Sequence, residues 1–219
     1  MFWAHPEWWV VGLGTLAWVP MARHGIILPE HSGHQATTFG TELVYWHAMV
    51  LAMMLPTLVY KAREIAFRSL PERRHRAIGV FLIGYVLPWS AFGVFVAATR
   101  TWSWTHAPWL TVGAFAVATV WACLPIRERA MVMSYGYAPV IAPDGGDADR
   151  DCLTSGLIVG AWCCVSCWAL MLACALSGHH LIAMMLGASI GIVERVSFRP
   201  PRVFVVLVSV ALTAVFAWL

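Results

Sequence analysis

From Ala77 to Ala98 the chain reads "AIGVFLIGYVLPWSAFGVFVAA", without one charged side chain. A helix needs about 20 predominantly apolar residues to cross the hydrocarbon core of a bilayer, and a run like this one has few other stable fates. Comparable runs recur, so spans are expected at about 7–22, 40–60, 77–98, 107–124, 153–177, 181–194 and 203–219. The sixth is short enough to be a tilted or partial span. Charged residues make up 11% of the chain, against about 25% in a soluble domain. The expected fold is therefore all-α: one integral membrane domain over 1–219, a polytopic transmembrane helix bundle of six to seven spans. The alternating ten-residue strands of an outer-membrane barrel do not occur. The opening "MFWAHPEWWVVGLG" has neither the basic start nor the cleavage site of a signal peptide, and is expected to be a retained first helix.

Lysine and arginine set the orientation. The connector 61–76 carries six of them, Arg127, Arg129 and Arg150 follow span four, and Arg195, Arg199 and Arg202 follow span six: twelve of fourteen on one side. That side is expected to be cytoplasmic, with the N-terminus inside, the C-terminus outside, and 61–76 and 125–152 as cytoplasmic connectors. Within the second connector, "APVIAPDGGDADRDC" reads as a flexible loop. The location expected is the inner (plasma) membrane, multi-pass and in contact with lipid. The net charge of +3 reflects this topology and points to no nucleic acid.

Several activities are excluded by residue type. A retinal protein needs a lysine inside the membrane, and the one lysine, Lys61, stands at the inner end of span two. Proton-coupled transporters show intramembrane acids, whereas here only Glu42 and Glu194 approach the spans, both at ends. No HExxH, P-loop or GxSxG motif supports hydrolysis, and no catalytic residue is expected.

Histidine is unevenly distributed under this orientation. His31 and His34 lie in a His-rich external loop at 23–39, His179 and His180 in the third external loop, and His47 two turns below the outer end of span two. Imidazole is the commonest protein metal ligand, so these loops could converge on a metal, or the histidines could be tolerated loop residues. A haem held by exposed histidines is a further, weaker alternative, and CxxCH is absent.

Cysteine supplies the second pattern. In "AWCCVSCWALMLAC", residues 161–174, four of the six cysteines fall in one span. At about 100° per residue, Gly156, Gly160, Cys163, Cys167, Met171 and Cys174 occupy one arc of about 80°. Cys164 lies just outside it. Two readings fit: small residues, including Cys174, that let a neighbouring helix approach closely, or thiol and thioether donors that select Cu(I). Span two offers matching donors in "ELVYWHAMVLAMMLP": Met49 and Met53 share a face with Glu42, and His47 shares the opposite one with Met54.

The motifs "WHAMVLAMMLP" and "GLIVGAWCCVSCWALM…GHHLIAMMLGASIGIVER" resemble the metal-binding integral membrane proteins catalogued as domain of unknown function 2182, over roughly residues 40–200. Trp46, Met49, Met53, Met54, Pro56, Gly156, Gly160, Cys163, Cys167, Trp168, Leu170, Met171 and Glu194 carry the likeness. Ser166 departs from it, standing where a cysteine is expected. The resemblance implies a copper-handling role.

Two functions are thus expected to compete. The first is capture, chaperoning or delivery of copper through external His31, His34, His179 and His180, and intramembrane Cys163, Cys167, Met171, Met49, Met53 and His47, with a soluble metal acceptor as partner. In the second, Gly156, Gly160, Cys164 and Cys174 are packing residues of a non-catalytic subunit in a larger membrane complex.

Overall fold

The computed structural model describes residues 5–27, 38–100 and 108–196, with the isolated positions 210, 211 and 214. Seven α-helices are found among them, and no strand: α1 (Trp8–Ile27), α2 (Phe39–Arg68), α3 (Arg74–Arg100), α4 (Pro108–Cys123), α5 (Pro125–Gly136), α6 (Gly145–Leu176) and α7 (Leu181–Val196). The span expected at 203–219 lies outside the described residues apart from the isolated positions. Phe39–Arg68, Pro71–Arg100 and Gly145–Leu176 are long and apolar enough to cross a membrane.

Local chemistry sets the ends of these helices. Thr38 is extended and its hydroxyl accepts the Thr41 N–H at 3.3 Å, capping α2. Asp144 caps α6 through Gly145 N–H. At the far end of α6, Gly178 turns left-handed at φ 69°, its N–H reaching Ala175 O while His179 N–H reaches Cys174 O. These are the paired bonds of a Schellman stop. His179 itself has φ 60°, which is uncommon for a residue with a Cβ.

Helices α2 and α3 run antiparallel, and α3 and α6 come together parallel. Their contact is backbone against backbone. A Cβ on Gly84 would lie 2.2 Å from Leu153 O, one on Gly156 2.1 Å from Phe81 O, and one on Gly160 2.5 Å from Tyr85 O. Small residues permit such approach where apolar lipid gives helices no hydrophobic reason to associate. On the other side of α3, Trp46 from α2 fills the space a Gly93 side chain would need, and its indole N–H donates to Trp89 O at 2.9 Å.

Helix α1 packs antiparallel on α2 around Pro56. Because proline has no N–H, Ala52 O loses its partner four residues on. The indole of Trp18 supplies it, donating to Ala52 O at 3.1 Å. Trp18→Phe keeps the ring and strands that carbonyl, so it is expected to cost about 1–3 kcal/mol, read as a lowered melting temperature in detergent.

The expected inner connectors are more ordered than a loop reading allows. Much of 61–76 is helix: α2 continues to Arg68, a 3-10 turn covers Pro71–Arg73 and α3 starts at Arg74. The segment between α5 and α6 is anchored by Lys61 Nζ to Tyr137 O at 2.7 Å and Arg68 to Pro139 O at 2.9 Å. Arg73 pairs with Asp144 and Asp149 at 3.0 and 2.6 Å. The acidic loop thus neutralises the basic end of α2 and α3, and "GGDADRD" is already the first turns of α6.

Residues 125–136 need the larger correction. They were expected in a connector, but they form α5, bent by 72° from α4. Pro125 cannot donate backward, so α4 stops and a new helix begins with proline in its first position. Helix α5 then lies antiparallel along the middle of α6: Arg127 Nε donates to Ser166 O at 3.2 Å and Ser134 Oγ approaches Val159 O at 3.4 Å. Arg127 is consequently buried and leaves the tally of exposed basic residues.

Candidate metal centre

The stripe on α6 faces two different neighbours. Its lower half, Gly156 and Gly160, meets α3, and this contact brings Tyr85 up to Cys163. The Tyr85 hydroxyl donates to Cys163 Sγ at 3.0 Å. From the other side, Cys163 Sγ lies 3.9 Å from Met54 Sδ of α2. One turn further along α6, Cys167 Sγ lies 3.3 Å from Ser166 Oγ. Cys163 is fully buried and Cys167 half-buried. The Cys163 thiol therefore sits between a phenol of α3 and a thioether of α2, with Cys167 one turn further along α6.

Sulfur-bearing side chains also gather toward the other end of α6. Met53 and Cys174 both approach Gly187 of α7, where a Cβ would lie 2.9 Å from Met53 Cε and 3.7 Å from Cys174 Sγ. Met49 and Met171 are buried in the same core. Cys164 is half-buried against that core. None of the six cysteines is in a disulfide.

The histidines divide. His31 and His34 lie outside the described residues. His47 already uses both ring nitrogens, with Leu43 O at 2.7 Å and Ser90 Oγ at 2.8 Å. His179 was expected in an exposed loop, but the Schellman turn folds it inward: it is buried, its ring 5.9 Å from that of Tyr45. His180 is exposed. Among the described residues no three His, Cys, Asp or Glu side chains converge on one point. Between α2 and α6 the soft side chains meet where Cys163 Sγ approaches Met54 Sδ.

Two buried ion pairs flank this core. Arg100 Nε lies 2.8 Å from Glu42 Oε2, joining α2 to α3, and its guanidinium also donates to Ala175 O of α6. Glu42, placed at the end of span two by the sequence, is buried in this pair. Arg127 grips Glu194 of α7 with two bonds of 2.7 and 2.5 Å. Its anchor on Ser166 O ties it to the carbonyl that precedes Cys167 in α6.

Sequence reasoning had not counted Met54, Tyr85, Arg127 or Glu194 as site residues. Met54 was visible on the His47 face of span two, away from Met49 and Met53. Pro125 opening "PIRERAMVM" was an available helix-start signal. Nothing in the sequence pointed Tyr85 at Cys163.

Helices fit to cross a membrane, with cysteine and methionine sulfurs buried between them, are the features of an α-helical bundle rich in soft side chains. The PpoB2 family, described as copper chaperone, matches residues 43–219. The chain belongs to that family, and association with copper follows. The resemblance to domain of unknown function 2182 is corrected by this match, although both lead to copper. No curated protein and no solved structure matches the chain.

Proposed function

We propose that the protein carries copper as Cu(I), held between α2 and α6 by Cys163, Cys167 and Met54. The observation carrying this reading is the 3.9 Å separation of Cys163 Sγ and Met54 Sδ. With metal–sulfur bonds of about 2.3 Å, sulfurs so spaced subtend about 116° at an ion between them, a trigonal angle. Thiolate and thioether ligands select Cu(I) over harder ions. A neutral thioether binds more weakly than a thiolate, so Met54 is the ligand that yields first when the ion is handed on. Tyr85 fixes the orientation of Cys163 through its hydroxyl.

The bundle works as a multi-pass protein of the inner membrane, non-catalytic, receiving copper at the outer end through His31, His34 and His180. It passes the ion to a copper-using acceptor, either soluble or part of a membrane complex. Met49, Met53, Met171 and Cys174 continue the line of soft donors through the core.

Purified protein in mild detergent under reducing conditions is expected to retain about one copper per chain. Cys163→Ser/Cys167→Ser is expected to lose it, and Met54→Leu to retain less than wild type. Elemental analysis reads both. Equal copper in wild type and the double cysteine variant would falsify the reading.

A further inference from the structure

A cuprous ion on two thiolates is an anion. As the ion binds, two thiols release their protons to solvent, and one positive charge meets two negative ones, leaving −1. In a buried, poorly polarisable pocket such a charge is costly unless a cation stands beside it. The cation at hand is Arg127. Its Nε is bonded to Ser166 O, the carbonyl preceding Cys167, and the hydroxyl of the same serine lies 3.3 Å from Cys167 Sγ. Tyr85 adds a neutral donor on the Cys163 side. The other buried cations are engaged elsewhere: Arg100 bonds Glu42 and Ala175, while Lys61 bonds Glu64 and Tyr137.

The pair itself calls for a reason. A buried Arg–Glu pair contributes little stability compared with apolar residues of the same volume, and ionisable groups among membrane helices are functional by default. Helix α5 exists beside α6 only because the chain breaks at Pro125, and the break delivers Arg127 to the level of Cys167.

We propose that Arg127 is the positioning residue of the copper site, supplying the counter-charge of the loaded metal–thiolate complex, and that Glu194 restrains it. Glu194 fixes the guanidinium by its two bonds and offsets part of its field, which keeps the loaded form weak enough to give up its ion. The inference rests on the copper reading above.

The two partners therefore have opposite effects on affinity. Full-length protein in detergent is titrated with Cu(I) against a chromophoric cuprous chelator. Glu194→Gln, which leaves the arginine charge unopposed, is expected to tighten binding on the order of tenfold. Arg127→Met/Glu194→Met, which keeps the packing and removes the field, is expected to weaken it by a similar factor, and Arg127→Lys to stay close to wild type. If the pair is only a clamp, Glu194→Gln binds no more tightly and the double methionine variant binds as wild type does; either result overturns the proposal. Should Glu194→Gln not survive purification, the double variant decides alone, since unchanged affinity there is sufficient to reject it. Failure of the copper reading is separate: Cu(I) binding would then be indifferent to Cys163→Ser/Cys167→Ser.

Discussion

Gly156→Ala is expected to break the bundle at its tightest crossing, with a loss of about 3 kcal/mol or more, at or beyond the upper end of ordinary overpacking. The added methyl would stand 2.1 Å from Phe81 O and 2.8 Å from Tyr85 N. Both are backbone atoms, so no rotamer change relieves the clash and α3 must move away from α6. That movement reaches the proposed copper site, because Tyr85 is held against Cys163 by the same crossing. Gly160→Ala, with a methyl 2.5 Å from Tyr85 O, is expected to act alike and to lower copper retention together with stability. The control is Gly113→Ala in α4, where a Cβ meets nothing within 4 Å. There the higher helix propensity of alanine is expected to be neutral or to stabilise by up to about 1 kcal/mol. Thermal unfolding of detergent-solubilised protein, followed by helical circular dichroism, checks all three. A Gly156→Ala protein that melts with the Gly113→Ala control would show that the helices are not in backbone contact.

The helical class was readable because it depends on local quantities: apolar length, the scarcity of charge and the 3.6-residue period. The same period put Gly156, Gly160, Cys163 and Cys167 on one face of one helix. It could not say which neighbour that face meets. In the structure the glycines meet α3 and Cys163 meets Met54 of α2, so one stripe serves packing at one level and sulfur contact at the next. The choice of Met54 over Met49 and Met53 is tertiary, fixed by how α2 is rotated by its contacts with Trp18 and Gly93. Residues 125–136 were misread for a different reason. Charged "RER" reads as a surface connector when each residue is taken alone, and only the partner Glu194, 67 positions away, makes burial of Arg127 tolerable. Likewise a histidine after a helix reads as solvent-facing, yet the Schellman turn at Gly178 returns His179 to the core.

Arg127→Met alone is expected to be among the most damaging single substitutions in the chain, because it leaves a carboxylate buried without its counter-ion. Glu194 has two bonds to Arg127 and its side chain is 4% exposed. Removing one member of such a pair costs about 3–5 kcal/mol, whereas replacing both by apolar residues is often neutral or stabilising. The pair ties α5 to α7 across Ser166 of α6, so the single variant is expected to loosen all three at once, lowering the melting temperature and exposing Cys167 to alkylation. Adding Glu194→Met should restore most of the stability but not the copper affinity. A double-mutant cycle on melting therefore separates the structural cost of the unpaired charge from its electrostatic use. If the single variant were as stable as the double, the carboxylate would be reaching solvent, and the pocket beside Cys167 would be wet rather than dry. A wet pocket would screen Arg127 from the thiolates, and the difference in copper affinity between Glu194→Gln and the double methionine variant should then shrink as well.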